Sequence, residues 1–423
     1  MIRHILTATT LIVATHLLAA EQRPNVLIIV ADDLRPDCLL ATGAKVARLP
    51  NLEALAARSC IFRDASLQGS TYPAVCVASR AMLLTGRGVS RLPVNHREIH
   101  AADFPSTLAR AFGYAGYVTY HTGKNESCPV DLYREFQSSQ TLGRSVETEA
   151  QHGADTAAFI RKHSDRPWLA YVEFALPHDP QDAPESYHAR FRAKDMETPI
   201  DFRAEHPFDN GEMRVRDELT LPRPLTLESV KGKRARYWAS AAWMDHQLGA
   251  VLAAVRDSGQ EGRTWVVVIG DNGLSLGDHG LLGKQNLYAF GGMHIPCLVA
   301  GPGVQPRLSS GLAQVHDIFP TLAAAAGLAP ELSKDVEGVS LLPAVRGLSD
   351  HVRPVAFSRY RNVQFSAFDG RWKLIVYPRV ARTQLFDRQA DPYELRDLSE
   401  TANATPERRR LEAELAGWRA TLR

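Results

Sequence analysis

Asn25-Val-Leu-Ile-Ile-Val-Ala-Asp-Asp33 is an unbroken apolar, β-branched run that ends in two adjacent carboxylates. Such a run suits a strand buried on both faces, where neither side meets water. Two carboxylates at the mouth of a buried strand are costly unless a cation pairs them. Three further stretches repeat the arrangement. Tyr117-Val-Thr-Tyr120 leads to His121-Thr-Gly-Lys124, Trp168–Leu176 leads to Pro177-His178-Asp179-Pro180, and Trp265–Ile269 leads to Gly270-Asp271-Asn272-Gly273. Amphipathic helical patterns are expected at Leu49–Arg58, Phe104–Phe112, Glu149–Lys162 and Arg236–Arg256. Strands alternating with helices imply an α/β fold built on a large, mostly parallel sheet. Ligands of open α/β sheets bind beyond the carboxyl ends of the strands. The four polar clusters are therefore expected at one edge.

Those clusters sort by charge. Asp32, Asp33, Asp271 and Asn272 make a hard oxygen cage, which suits Ca²⁺ or Mg²⁺ rather than zinc. Lys124, Lys284, His178 and Arg80 suit a tetrahedral oxyanion. Arg80 belongs to Thr71-Tyr-Pro-Ala-Val-Cys76-Val-Ala-Ser79-Arg80, which runs on to Leu84-Thr-Gly-Arg87. Cys76 sits at the start of a helix-like run, where the peptide dipoles favour an anionic nucleophile. One helical turn puts Arg80 on the same face. A divalent cation with several basic groups points to hydrolysis of a sulfate or phosphate ester, with the anion neutralised in a water-poor cleft.

The Cys76 stretch resembles the sulfatase signature at Cys76, Ser79, Arg80 and Leu84-Thr85-Gly86-Arg87, with Ala78 where many members have proline. Arg23–Leu27, Pro177–Pro180 and His279-Gly-Leu-Leu-Gly-Lys284 extend the likeness over nearly the whole chain beyond residue 20. The resemblance implies an alkaline phosphatase-like fold and a formylglycine-dependent sulfuric ester hydrolase. Cys76 would be oxidised to formylglycine (3-oxoalanine) by a formylglycine-generating or anaerobic maturation enzyme. Ca²⁺, or Mg²⁺, would be held by Asp32, Asp33, residue 76, Asp271 and Asn272. Arg80, Lys124, His178 and Lys284 would act on the sulfate. Sulfated oligosaccharides or polysaccharides are the implied substrates. A phosphodiesterase or phosphonate hydrolase of the same superfamily, and a non-catalytic sulfated-glycan binder, are the alternatives. Two departures stand out. Glu126 occupies the place of a site histidine, so that Glu126, His121 and His279 are three candidates for its work. Ala289–Pro296 also differs from the usual tail of the lysine motif.

The chain has 423 residues, 45% of them hydrophobic, and a net charge of +2. That supports a sizeable core and gives no sign of a nucleic-acid partner. Residues 1–20 read as a signal peptide, so the protein is expected to be exported to a periplasm with no membrane span after cleavage. Residues 21–345 are expected to form the catalytic domain. Residues 346–423 are expected to form a smaller subdomain, with antiparallel strands Gln364–Phe368 and Trp372–Tyr377 around Asp369-Gly370 and a helix over Thr405–Leu422. A strand at Cys297–Ala300 and a helix at Asp317–Ala326 are expected before it. Residues 181–224 lack periodicity and read as a long excursion over the site. The five cysteines, at 38, 60, 76, 128 and 297, fit no zinc spacing, and their pairing is open.

Overall fold

The computed structural model describes residues 23–422 apart from 47, 94, 96–97, 127–128 and 403–404. The signal-peptide segment and Cys128 lie outside the described residues. Strands β1 (Asn25–Asp32), β2 (Cys60–Phe62), β4 (Val118–Lys124), β5 (Ser138–Leu142), β6 (Trp168–Pro177), β7 (Thr264–Gly270), β8 (Cys297–Ala300) and β9 (Arg307–Ser309) form one eight-stranded sheet. Its order is β5-β4-β6-β1-β7-β8-β2-β9. The strands from β5 to β7 are mutually parallel, and β8 is antiparallel to both its neighbours. The four strands that carry the polar clusters are thus consecutive, β4-β6-β1-β7, and all point the same way.

Strand β1 shows why its sequence is apolar without interruption. Val26, Ile28 and Val30 pack into one core cluster, while Leu27, Ile29 and Ala31 pack into another. Helices Val75–Thr85, Leu108–Tyr114 and Ile318–Ala325 cover the first face. Helices Pro50–Ala56, Val146–Lys162 and Leu227–Asp257 cover the second. The last of these begins at Leu227 rather than the expected Arg236. Thr226 and Ser229 form a reciprocal capping box there, ahead of a polar stretch with no apolar period.

A smaller sheet has the order β13-β12-β11-β10-β3, made of β10 (Ala356–Tyr360), β11 (Gln364–Phe368), β12 (Trp372–Tyr377), β13 (Arg382–Asp387) and β3 (Gly69–Ser70). It is antiparallel except where β3 joins β10. Helix Thr405–Ala420 buries Leu411 and Leu415 against it. Strand β3 immediately precedes the Cys76 stretch, so the C-terminal segment braces the nucleophile helix through shared backbone pairing. Gly69 makes the join feasible. Its φ is +92°, and a Cβ there would sit 1.7 Å from the Arg359 carbonyl oxygen. Among the described residues no helix is long and apolar enough to cross a membrane.

Candidate active site

Cys76 is the second residue of helix Val75–Thr85 and is buried. Its Sγ lies 3.4 Å from Asp32 Oδ1, 3.3 Å from Asn272 Oδ1 and 3.1 Å from Lys284 Nζ. The end of β1 therefore meets the end of β7, the start of the helix and the 271–284 loop at one point. Lys284 Nζ also donates to Asp33 Oδ1 at 2.6 Å. Asn272 Nδ2 donates to the same oxygen at 2.6 Å, and the Asp33 backbone N–H donates to Asp271 Oδ1 at 3.1 Å. Lys124, at the end of β4, donates to Asp32 Oδ2.

Arg80 sits beneath this floor, fully buried among three carboxylates. Its Nη2 is 3.1 Å from Asp32 and 3.0 Å from Asp271, and its Nε is 3.2 Å from Glu173. Glu173 also accepts from the Tyr133 hydroxyl at 2.5 Å. This acid was legible as an anomaly, one carboxylate inside the apolar run Trp168–Leu176, although the sequence does not reveal its partner. His178, just past β6, has Nε2 4.0 Å from Asp33 Oδ2. Asp32, Asp33, Cys76 and His178 each bring one donor atom within 4.8 Å of the others.

The β6 end is shaped for this purpose. Ala31 pairs with Phe174, but Asp32 pairs with Pro177, so β6 bulges between them. The two backbone N–H groups left over, at Ala175 and Leu176, donate to the Glu149 carboxylate at 3.1 and 3.2 Å. Glu149 is buried with no cation beside it in this contact, and burial pushes its carboxyl up to about 8.

Charge is distributed unevenly. Burial favours the neutral form of Asp32, yet Lys124, then His178, Arg80 and Lys284 outweigh it and hold the carboxyl well below the usual range. Burial and the neighbouring Asp32 charge push Asp271 up to about 7. The Cys76 thiol is pushed up by burial and by Asp271 and Asp32, more than Lys284 and Lys124 lower it. Burial and the two carboxylates thus work against the ionisation that the helix start favours. The thiols of Cys38, Cys60, Cys76 and Cys297 are all free.

A cleft of about 310 Å³ opens above Cys76, with His178 and Lys284 in its walls. Residues that the sequence did not single out line it as well: Arg144, Arg216, Asp217 and Gln285. Val215–Asp217 belong to the long 181–224 excursion, which does reach over the site as expected. Arg144 could have been found only through its position between β5 and a helix cap, and β5 is itself a polar, half-exposed strand with no apolar alternation. Of the three candidates for the missing histidine, Glu126 lines the cleft. His121 stacks on Tyr133 and faces Glu173, and His279 pairs with Asp201 at 2.8 Å and stacks on Tyr288. Neither histidine lines the cleft.

The Sulfatase family profile matches residues 24–328. The chain belongs to the sulfatase family. It is 28% identical to the choline-sulfatase of Rhizobium meliloti (strain 1021), over 89% of this chain and 83% of that protein. Its fold superposes on the phosphonate monoester hydrolase of Agrobacterium radiobacter with a TM-score of 0.78, at 24% identity over 94% and 96% of the two chains. It also superposes on a protein solved in complex with its substrate D-glucosamine-2-N,6-O-disulfate, with a TM-score of 0.79 at 17% identity over 95% and 98%. The likeness to alkaline phosphatase-like sulfatases inferred from the motifs thus holds for family and fold alike. This sulfatase is a sulfuric ester hydrolase, which the relatives' own activity supports over a purely binding role.

Proposed function

We propose that this sulfatase removes sulfate from sulfated carbohydrates, with residue 76 in aldehyde form as nucleophile and a divalent cation as partner. The observation that carries the reading is the gathering of Asp32, Asn272 and Lys284 within 3.4 Å of the residue-76 side chain at the cleft floor. A buried thiol held protonated is a poor nucleophile, so its replacement by an aldehyde accounts for a cysteine in this setting. In its hydrated form that aldehyde supplies two geminal hydroxyls, one to bond sulfur and one to lose its proton as sulfate leaves.

The donor set fits a hard cation: three carboxylates and one amide oxygen, with Asp271 Oδ2 buried and lacking any hydrogen bond beyond its ion pair with Arg80. Asp32, Asp33, Asp271 and Asn272 would hold Ca²⁺ or Mg²⁺. When bound, the ion supplies Lewis-acid neutralisation of the sulfate oxygens. Arg80 and Lys124 fix Asp32 against β1 and keep it ionised. Lys284 Nζ, beside residue 76, offsets charge on the sulfate as the ester bond breaks. His178, whose Nε2 lies 4.0 Å from Asp33, lines the same cleft and would contact the sulfate ester beside residue 76. The same proposal has the chain exported to a periplasm behind residues 1–20 and matured by a formylglycine-forming enzyme.

The carbohydrate assignment is supported by the neighbour solved with a disulfated glucosamine and by a cleft with room for a sugar ring. Parallel assays of sulfate release from a nitrophenyl sulfate and of hydrolysis of a phenyl phosphonate monoester test the reaction class. Sulfate turnover abolished by Cys76→Ala is expected. Faster phosphonate hydrolysis would transfer the assignment to the activity of the Agrobacterium radiobacter neighbour.

A further inference from the structure

The position that sulfatases fill with a histidine holds Glu126, and its surroundings give it other work. Its carboxylate lies 2.6 Å from Arg144 Nη2. The other Arg144 nitrogen, Nη1, lies 3.0 Å from His178 Nδ1 and 3.3 Å from the Asp179 carbonyl oxygen. One guanidinium thus spans from the sulfate-facing histidine to the cleft mouth. Glu126 is its counter-ion there. This carboxylate, 63% exposed, keeps lone pairs beyond those the guanidinium occupies and lines the cleft.

A second pair in the cleft lining repeats the pattern. Arg216 pairs with Asp217 at 2.7 Å, and Asp217 accepts from Gln285 Nε2 at 2.8 Å. The cleft lining therefore carries two guanidinium–carboxylate pairs, one exposed at Glu126 and one with its acid buried at Asp217. Among the described residues no Trp, Tyr or Phe lines this cleft. A quaternary ammonium group would lack the aromatic faces that recognise such cations. A second anionic group on the substrate would meet arginines already neutralised by acids. A neutral polyol, by contrast, finds donors and acceptors side by side.

We propose that the Glu126–Arg144 pair is a specificity device, which selects esters whose non-sulfate part is neutral and hydroxyl-rich, such as a monosulfated neutral sugar. This rests on the sulfate-ester reading above and narrows it. Glu126 accepts from a sugar hydroxyl, and Arg144 donates to one, while the Asp179 carbonyl oxygen, 2.8 Å from His178 Nδ1 and 3.3 Å from Arg144 Nη1, accepts from both side chains. Removing the carboxylate leaves Arg144 unpaired and converts the mouth into a site for a carboxylate or second sulfate. Removing the guanidinium leaves Glu126 unpaired and favours a cationic leaving group.

The test compares wild type, Glu126→Gln and Arg144→Gln on four esters: nitrophenyl sulfate, a monosulfated neutral hexose, a sulfated disaccharide bearing a uronic acid, and choline sulfate. The readout is the ratio of kcat/KM between esters, which a uniformly damaged variant does not move. Wild type is expected to prefer the neutral hexose ester. Glu126→Gln is expected to shift the ratio toward the uronic acid ester by about fivefold, mainly through KM, and Arg144→Gln to shift it toward choline sulfate by a similar factor. Ratios within twofold of wild type in both variants, or a wild-type preference for the uronic acid ester, overturn the proposal. Titrating the same sugars into Cys76→Ala protein, with and without each rim substitution, gives the binding ratio independently of turnover. Absence of sulfate release from every ester by wild type would count against the reaction assignment, while the binding ratios would still decide the rim.

Discussion

Replacing Glu173 by glutamine keeps the side chain's shape and removes one charge from beneath the active site. Glu173 is fully buried, and Arg80, His121 and Tyr133 overcome the burial penalty to bring its carboxyl down to about 2 from 4.5. At about 1.4 kcal/mol per pH unit, that depression corresponds to about 3 kcal/mol of folding stability. Breaking a buried ion pair outright costs about 3–5 kcal/mol. Arg80 keeps Asp32 and Asp271 as partners, at 3.1 and 3.0 Å. The low end of that range, about 3 kcal/mol, is therefore expected for Glu173→Gln at neutral pH. Because the folded pKa is depressed, the contribution is present above about pH 4.5 and is lost as pH falls toward 2. At pH 3.5 the carboxyl of the unfolded chain is mostly protonated while the folded one stays ionised, so about 1.4 kcal/mol should already have gone. Urea unfolding of wild type and variant at pH 6.5 and pH 3.5 measures both quantities, and other titrating groups cancel in the difference. A gap equal at the two pH values, or below about 0.5 kcal/mol at pH 6.5, would refute the claim that a charged Glu173 anchors Arg80.

Four other outcomes follow from the same geometry. Glu149, raised to about 8, costs the folded state stability as pH rises from about 4.5 toward 8. Glu149→Gln should remove that slope, so its stability relative to wild type should improve across the interval in parallel urea melts. Gly69→Ala places a methyl group against the Arg359 carbonyl at a positive φ and should destabilise by about 3 kcal/mol or more, with the smaller sheet losing protection first in hydrogen exchange. Lys284→Ala leaves Asp33 short of its 2.6 Å partner and the nucleophile without its adjacent ammonium, and kcat/KM for a nitrophenyl sulfate should fall about 10²- to 10³-fold. Chelation should abolish turnover, and Ca²⁺ or Mg²⁺ should restore it where Zn²⁺ does not.

The fold was legible because its central strands are buried on both faces, and such strands announce themselves as apolar runs. β1, β6 and β7 were readable almost to the residue for that reason, and the polar clusters at their ends marked the sheet edge that holds the site. Strands β2, β5 and β9 were not readable. They are short or polar, and they exist because neighbouring strands offer a free edge rather than through any periodicity of their own. The inner site followed the same logic: Asp32, Asp33, Asp271, Asn272, Lys124, His178 and Lys284 all sit at or just beyond strand ends or in the loop that follows β7. Glu149 and Arg144 were hidden, and Glu173 legible only as an anomaly, because their meaning depends on partners distant in the chain or across a bulge that no local pattern encodes. The Cys76 thiol shows the complementary case. Its helix position was read correctly, but its ionisation depends on carboxylates contributed by β1 and β7.

The central claim is that residue 76 reacts as an aldehyde made from a buried cysteine. Mass spectrometry of the proteolytic peptide spanning Cys76, taken from protein that releases sulfate, tests it most directly. The account predicts a peptide lighter than the encoded one by the difference between a CH₂–SH and a CHO side chain, in proportion to specific activity. An intact Cys76 thiol in fully active protein would contradict it.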